Sequence, residues 1–172
     1  MAKQWYIIHT YSGFEQRVEL TIREMMRTGQ DKGLIEVAGR PMIEYVLECV
    51  RPQVSHLLIS ANRNLDTYQA YGVPVIPDGD EEFRGPLAGI SAALRNAQTD
   101  WLAVVPCDAP LLPADWVARL LGAARDPGTA RIAVAHDGER LQSMVALLHC
   151  DLREDLDEYL ASGERKVDRW YA

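Results

Sequence analysis

Trp101-Leu102-Ala103-Val104-Val105-Pro106-Cys107-Asp108-Ala109-Pro110 decides the fold. Its first five residues are apolar without alternation. That pattern predicts a strand covered on both faces, as in the middle of a parallel sheet. Pro106 and Pro110 bracket the turn that follows, and Asp108 falls at the strand's carboxyl end. In open α/β sheets this is the edge where ligands bind.

Working outward, strand and helix patterns alternate. Pro86–Asn96 reads as a helix opened by Gly85-Pro86, and Pro113–Ala124 as a helix with proline at its start. Arg131–Ala135 and Met144–Leu148 read as strands around Asp137-Gly138-Glu139, and Asp151–Leu160 as the last helix, ended by Gly163. Upstream, His56–Ser60 and Val73–Ile76 read as short strands. Met42, Tyr45, Val46, Cys49 and Val50 give one helical face behind Pro41. Leu34–Val37 is a short apolar stretch before the turn Ala38-Gly39-Arg40. Gln4–Thr10 reads as a strand, and Ser12-Gly13-Phe14-Glu15 has capping-box spacing for a helix that stops near Thr28-Gly29. The alternation predicts an α/β layer fold with a mostly parallel sheet.

Composition narrows the function classes. The chain has 172 residues, 48% hydrophobic and 25% charged, values that disfavour disorder and suit one compact domain. Its apolar runs are too short to span a bilayer, so no membrane segment is expected. Cys49, Cys107 and Cys150 are scattered and odd in number, which fits free thiols in a reducing, cytoplasmic setting rather than a disulfide framework. The net charge is −7, with the acidic excess in residues 31–172 and no Lys/Arg stripe, so nucleic acid is not an expected partner. Phosphate binding by such a chain needs a metal ion, a helix N-terminus or a placed cation.

Four places are candidates for such a role or for another nucleotide contact. Asp108 suits magnesium, which needs only one or two carboxylates beside substrate phosphate oxygens and water; it equally suits a turn or a helix cap. Lys32, in the polar loop Asp31-Lys32-Gly33, is a point charge for phosphate or a solvated loop lysine. Asp78, after Val75-Ile76-Pro77, can accept from a base or ribose, or make a turn. Gly85-Pro86-Leu87-Ala88-Gly89 combines backbone access with a helix start. His9, His56, His136 and His149 are mutually remote in sequence and read as packed or surface side chains, and no serine sits in a nucleophile elbow. Glu164-Arg165-Lys166 reads as a solvated charge cluster.

From Asp31 to Ala172 the chain resembles the MobA family of molybdenum cofactor guanylyltransferases. The motifs that carry the resemblance are Asp31-Lys32-Gly33-Leu34, Gly39-Arg40-Pro41, Ser60-Ala61-Asn62-Arg63, Gly85-Pro86-Leu87-Ala88-Gly89, Pro106-Cys107-Asp108-Ala109-Pro110, His136-Asp137-Gly138-Glu139-Arg140 and Gly163-Glu164-Arg165. The resemblance implies a Rossmann-like, three-layer nucleotidyltransferase fold. It implies transfer of GMP from GTP to molybdenum-molybdopterin with release of pyrophosphate. Carried over by motif, Lys32 contacts the GTP phosphates, Asp78 the guanosine part, and Asp108 a magnesium ion and the nucleotide.

Residues 1–29, through Trp5-Tyr6-Ile7-Ile8-His9-Thr10-Tyr11-Ser12-Gly13-Phe14-Glu15, resemble the opening strand and helix of the NusG transcription factor family. The chain thus reads as a chimera of a NusG-like segment, 1–29, and a MobA-like body, 31–172, forming one structural domain. Where the MobA family places Leu-Ala-Gly-Gly and a loop with Arg-Met-Gly around GTP, this chain has His9-Thr10-Tyr11-Ser12-Gly13 and a helix, with bulky Tyr11 and Phe14. The family's final strand and helix are also expected to be missing after Trp170-Tyr171-Ala172, leaving an open sheet edge that favours association. A strand-helix segment can fill the structural slot of a lost first β-α unit without rebuilding its phosphate loop. The expected result is a folded body with impaired GTP binding and turnover. The alternatives are a fragment of a transcription factor with RNA polymerase as partner, and a chimeric frame without function.

Overall fold

The computed structural model describes residues 4–7, 31–77, 85–125 and 130–172. Its main sheet has four strands: β1 (Gln4–Ile7), β6 (Trp101–Val104), β7 (Ile132–His136) and β8 (Leu141–His149), in the order β1-β7-β8-β6. β1 runs parallel to β7, and β8 runs antiparallel to both β7 and β6. Three strands therefore point one way and β8 opposes them, because the short His136–Arg140 turn forces β7 and β8 into a hairpin. Two small ribbons complete the strands: β2 (Glu36–Val37) antiparallel to β3 (Arg40–Pro41), and β4 (Ile59–Ser60) parallel to β5 (Val75–Ile76).

The helices are α1 (Met42–Val50), α2 (Leu65–Gln69), α3 (Pro86–Asn96), α4 (Trp116–Arg125), α5 (Arg153–Ala161) and α6 (Val167–Tyr171). They cover both faces of the sheet, and strand alternation assigns the layers. Ile132 and Val134 of β7, Ala146 and Leu148 of β8, and Leu102 and Val104 of β6 pack with α3, α5 and α6 through Leu87, Ile90, Leu156, Trp170 and Tyr171. The intervening Ala133, Ala135, Val145, Leu147, Trp101 and Ala103 pack with α1 and α4 through Val46, Val50, Trp116 and Leu120. This is the expected three-layer α/β arrangement. Among the described residues no helix is long and apolar enough to cross a membrane.

One expectation is corrected. β6 is not central: it closes one end of the four-stranded order, hydrogen-bonded to β8, and all four of its residues are half-buried. Unbroken apolarity reports that both faces are covered by helices. It carries no information on how many edges are paired. At the other end, residues 4–7 do form a strand and join the sheet beside β7, with Gln4 opposite Ala133 and Ile7 opposite His136. The capping box at Ser12–Glu15 and its helix lie outside the described residues.

A third apolar cluster lies beside α1. Ile43 and Leu47 occupy the α1 turns next to Val46 and Val50, and pack with Tyr68, Val73, Ile59, Val75 and Cys107. α1 thus joins the main layers to the β4–β5 ribbon, and Cys107 brings the turn after β6 into the same packing. The β2–β3 turn has positive φ at both Ala38 (53°) and Gly39 (79°), the signature of a two-residue type I′ hairpin. The Tyr45 hydroxyl donates to the Val37 carbonyl at 2.8 Å and anchors that hairpin to α1.

Candidate active site

Two loops meet where β6 ends. The first is a single 3-10 turn, Lys32–Leu34, with Asp31 as its N-cap: the Asp31 carboxylate accepts from the Gly33 amide at 3.3 Å. The second is the Pro106–Pro110 turn. The Lys32 ammonium lies 3.4 Å from the Asp108 carboxylate, with the two side chains 45% and 23% exposed. Both are reachable from solvent, and each is the other's counter-ion. Such a pair contributes only about 0–1 kcal/mol to stability. Its interest is chemical: an ammonium, the kind of group that binds phosphate, and a carboxylate, the kind that binds a divalent ion, occupy one spot at the carboxyl end of β6. The sequence placed Lys32 and Asp108 in separate loops, 76 positions apart in numbering; the fold unites them. Asp78 lies outside the described residues.

The contact between the loops is close. A Cβ on Gly33 would lie 2.8 Å from the Tyr68 hydroxyl and 3.0 Å from both Cβ and Sγ of Cys107. Only glycine lets the Lys32 turn seat against the residue that precedes Asp108. Burial pushes the Cys107 thiol up to about 11, assisted by the negative charges of Asp108 and Asp31. It is therefore a packing residue and a poor nucleophile.

Asp31 carries more than the Gly33 cap. Its Oδ1 also accepts from the Tyr68 hydroxyl at 2.7 Å, its Oδ2 accepts from Asn64 Nδ2 at 3.0 Å, and Arg63 Nε lies 3.5 Å away. Burial raises the Asp31 pKa, but the bonds from Tyr68, Asn64 and Gly33 and the Arg63 charge outweigh it and leave the group below its ordinary value. Burial and the bond to this carboxylate push the Tyr68 phenol far up. The sequence gives little signal for Tyr68 and Asn64, because α2 is five residues long and too short to show a periodic face.

Other singled-out motifs have structural roles. Gly85 takes a φ of 121° just before Pro86 and starts α3. The Asp137 carboxylate accepts from the Glu139 and Arg140 amides at 2.8 Å each, closing the β7–β8 turn. Arg165 is half-buried and donates to the Leu160 carbonyl at 2.7 Å, so it finishes α5 instead of standing in a fully solvated cluster. His136 accepts from the Gly138 amide at 2.9 Å, and His149 pairs with Asp151 at 2.8 Å with its ring edge-on to Trp101. All three cysteines are free thiols.

Comparison with known proteins fits this geometry. Residues 26–172 match the MobA-like NTP transferase domain model. The chain belongs to that family. Its α/β layers are thus those of a MobA-like nucleotidyltransferase fold. A molybdenum cofactor guanylyltransferase from Shewanella sp. (strain ANA-3) is 52% identical over 144 residues, covering 84% of this chain and 73% of that protein. The Shewanella amazonensis protein of the same name is 50% identical over the same span. Among solved structures, molybdopterin-guanine dinucleotide biosynthesis protein A from Archaeoglobus fulgidus has a TM-score of 0.67 at 20% identity, covering 84% of this chain and 72% of that one. The 2-C-methyl-D-erythritol 4-phosphate cytidylyltransferase from Thermus thermophilus has a TM-score of 0.61 at 19% identity, covering 81% and 77%. At these identities the two structures speak for the fold alone. The family match starts at residue 26, five positions before the body set by motif resemblance, and residues 1–25 lie outside it.

Proposed function

We propose that the chain transfers GMP from GTP to the phosphate of molybdenum-molybdopterin and releases pyrophosphate. The observation that supports this most is the 3.4 Å approach of Lys32 to Asp108 at the carboxyl end of β6, in a chain whose half-identical relatives are named for that activity. A phosphate oxygen of the acceptor attacks the α-phosphorus of GTP, a new P–O bond forms, and the bond to pyrophosphate breaks. Catalysis of such a displacement rests on positioning and on offsetting charge. Lys32 supplies a cation to the triphosphate oxygens, and Asp78 is assigned to the guanosine part.

Asp108 is assigned a magnesium ion. The donor chemistry fits: a substrate-bridged magnesium needs only one or two carboxylates beside phosphate oxygens and water, and Asp108 offers one at the end of β6. The Asp108 carboxylate is partly exposed, with its Oδ2 beside Lys32. When bound, the ion polarises phosphoryl oxygens and offsets their charge. Entry of the triphosphate gives Lys32 a stronger anionic partner and frees Asp108 for that role.

We further propose that turnover is low, because residues 9–14 replace the glycine-rich GTP loop of the resembled family. The test is a GTP titration with magnesium and a pyrophosphate-release assay, run beside a version carrying the family's usual first segment. The expected result is weak binding and slow transfer by this chain, a gain with the restored segment, and loss on Lys32→Ala or Asp108→Asn. No transfer by either version would overturn the guanylyltransferase reading. Micromolar GTP binding with full turnover by this chain would overturn the impairment.

A further inference from the structure

We propose that Asn64 and Tyr68 are positioning residues for Lys32, acting through Asp31. The inference rests on the nucleotidyltransferase reading for its significance, though its test does not. The two side chains are four residues apart on one helical turn and grip the two oxygens of a single carboxylate: Tyr68 takes Oδ1 and Asn64 takes Oδ2. Their spacing is fixed by the Tyr68 amide donating to the Asn64 carbonyl at 3.0 Å. Asp31 in turn caps the 3-10 turn that begins with Lys32. The same Tyr68 hydroxyl borders Gly33, whose Cβ position is also blocked by Cys107, next to Asp108. One helical turn therefore sets where the Lys32 turn sits relative to the Asp108 turn.

Two features go beyond ordinary capping. Asn64 holds φ at 52°, a left-handed conformation that a non-glycine residue adopts at a cost. Left-handed asparagines are common in turns, but this one also aims its amide at Asp31. Moreover, the Asp31 side chain is 12% exposed, yet the group it orients, Lys32, is 45% exposed. A well-satisfied carboxylate thus backs a solvent-facing cation. Lys32 has a flexible four-carbon stem, so placing its ammonium depends on a fixed backbone beneath it.

The test uses differential amine acylation of the intact chain, followed by peptide mass spectrometry. Lys166 is exposed and serves as internal reference. Tyr68→Phe removes one oxygen. Asn64→Gly removes the amide donor while easing the left-handed backbone, so it tests contact apart from strain. Asp108→Ala marks the rate of a fully released Lys32. Acylation of Lys32 relative to Lys166 is expected to rise about two- to fivefold in all three, the range an ion pair of this exposure supports. Thermal melting confirms that each variant is folded at the labelling temperature. Unchanged Lys32 labelling in folded Tyr68→Phe and Asn64→Gly, with a rise in Asp108→Ala, would overturn the proposal.

GTP binding with magnesium separates this failure from failure of the functional reading. Tyr68→Phe is expected to weaken binding about tenfold in the natural background and less than about twofold beside Lys32→Ala, the signature of coupled residues. An equal loss in both backgrounds means a merely structural role and overturns the inference. Failure of both this chain and the version with the restored segment to bind GTP sinks the functional reading alone, and the acylation rates still decide the positioning.

Discussion

Gly33→Ala is the most informative single perturbation. The added methyl would stand 2.8 Å from the Tyr68 hydroxyl and 3.0 Å from the Cys107 Cβ and Sγ, whereas comfortable carbon contacts lie at about 3.5–4.0 Å. The deficit is about 0.5–1 Å on two sides. The Tyr68 hydroxyl cannot swing freely, because it is tied to Asp31 at 2.7 Å, and the Cys107 Cβ is fixed to its own backbone. Relief must come from separation of the Lys32 turn and the Asp108 turn. Overpacking of this kind costs about 1–3 kcal/mol. In a chain of this size each kcal/mol lowers Tm by about 2–4 °C. The same separation widens the 3.4 Å Lys32–Asp108 gap to about 4 Å, the outer limit of an ion pair. If Lys32 and Asp108 act as proposed, a displacement of about 1 Å costs about 100-fold in rate. Urea unfolding and pyrophosphate release read the two effects. A variant within about 0.5 kcal/mol of natural stability, and within twofold in rate, would refute the claim that this glycine sets the site.

The remaining predictions use other parts of the molecule. Asp31 titrates below its ordinary 3.8 when folded, so its contribution to stability is complete above that pH and is lost as the pH falls through the lowered folded value. Urea unfolding at pH 7 and pH 3 should therefore show a smaller pH-dependent loss in Asp31→Asn than in the natural chain. Cys107, at about 11, carries on the order of 0.1% thiolate at pH 8, and should be alkylated far more slowly by iodoacetamide than an unhindered thiol of ordinary pKa in a model peptide. Trp170 is buried among the α3 and α5 side chains and donates from Nε1 to Asp155 at 2.7 Å. Trp170→Ala should cost about 3–5 kcal/mol in urea unfolding. An effect below 1 kcal/mol would show that α6 does not hold this layer.

The layers were legible in the sequence, and so were most of the elements. α3 begins at Pro86 as expected, because a glycine followed by proline both releases the chain and presets the first helical φ. The β7–β8 hairpin was marked by apolar runs around Asp137-Gly138. Short elements escaped. β4 keeps only Ile59–Ser60 of the expected His56–Ser60, and α2 and α6, with five residues each, lack the length to display a period. The position of β6 escaped for a different reason: its residues report what lies above and below them, while edge pairing is settled by distant chain segments. For the site, Lys32 and Asp108 were legible as residue types at strand and loop ends. Their meeting was not, since it depends on Gly33 packing against Cys107 and on Asp31 being held from α2, contacts between segments distant in sequence.

The left-handed Ala38 in the β2–β3 turn has a practical consequence. A type I′ turn wants asparagine, aspartate or glycine where this chain has a methyl-bearing residue, and the mismatch costs about 1–2 kcal/mol. Ala38→Asn recovers part of that. The gain is local to the hairpin and leaves the Lys32 turn, the Asp31 carboxylate and Tyr68 as they are. The molecule therefore has room for a more heat-tolerant version in which substitutions around the Lys32–Asp108 pair can be studied without losing the folded state.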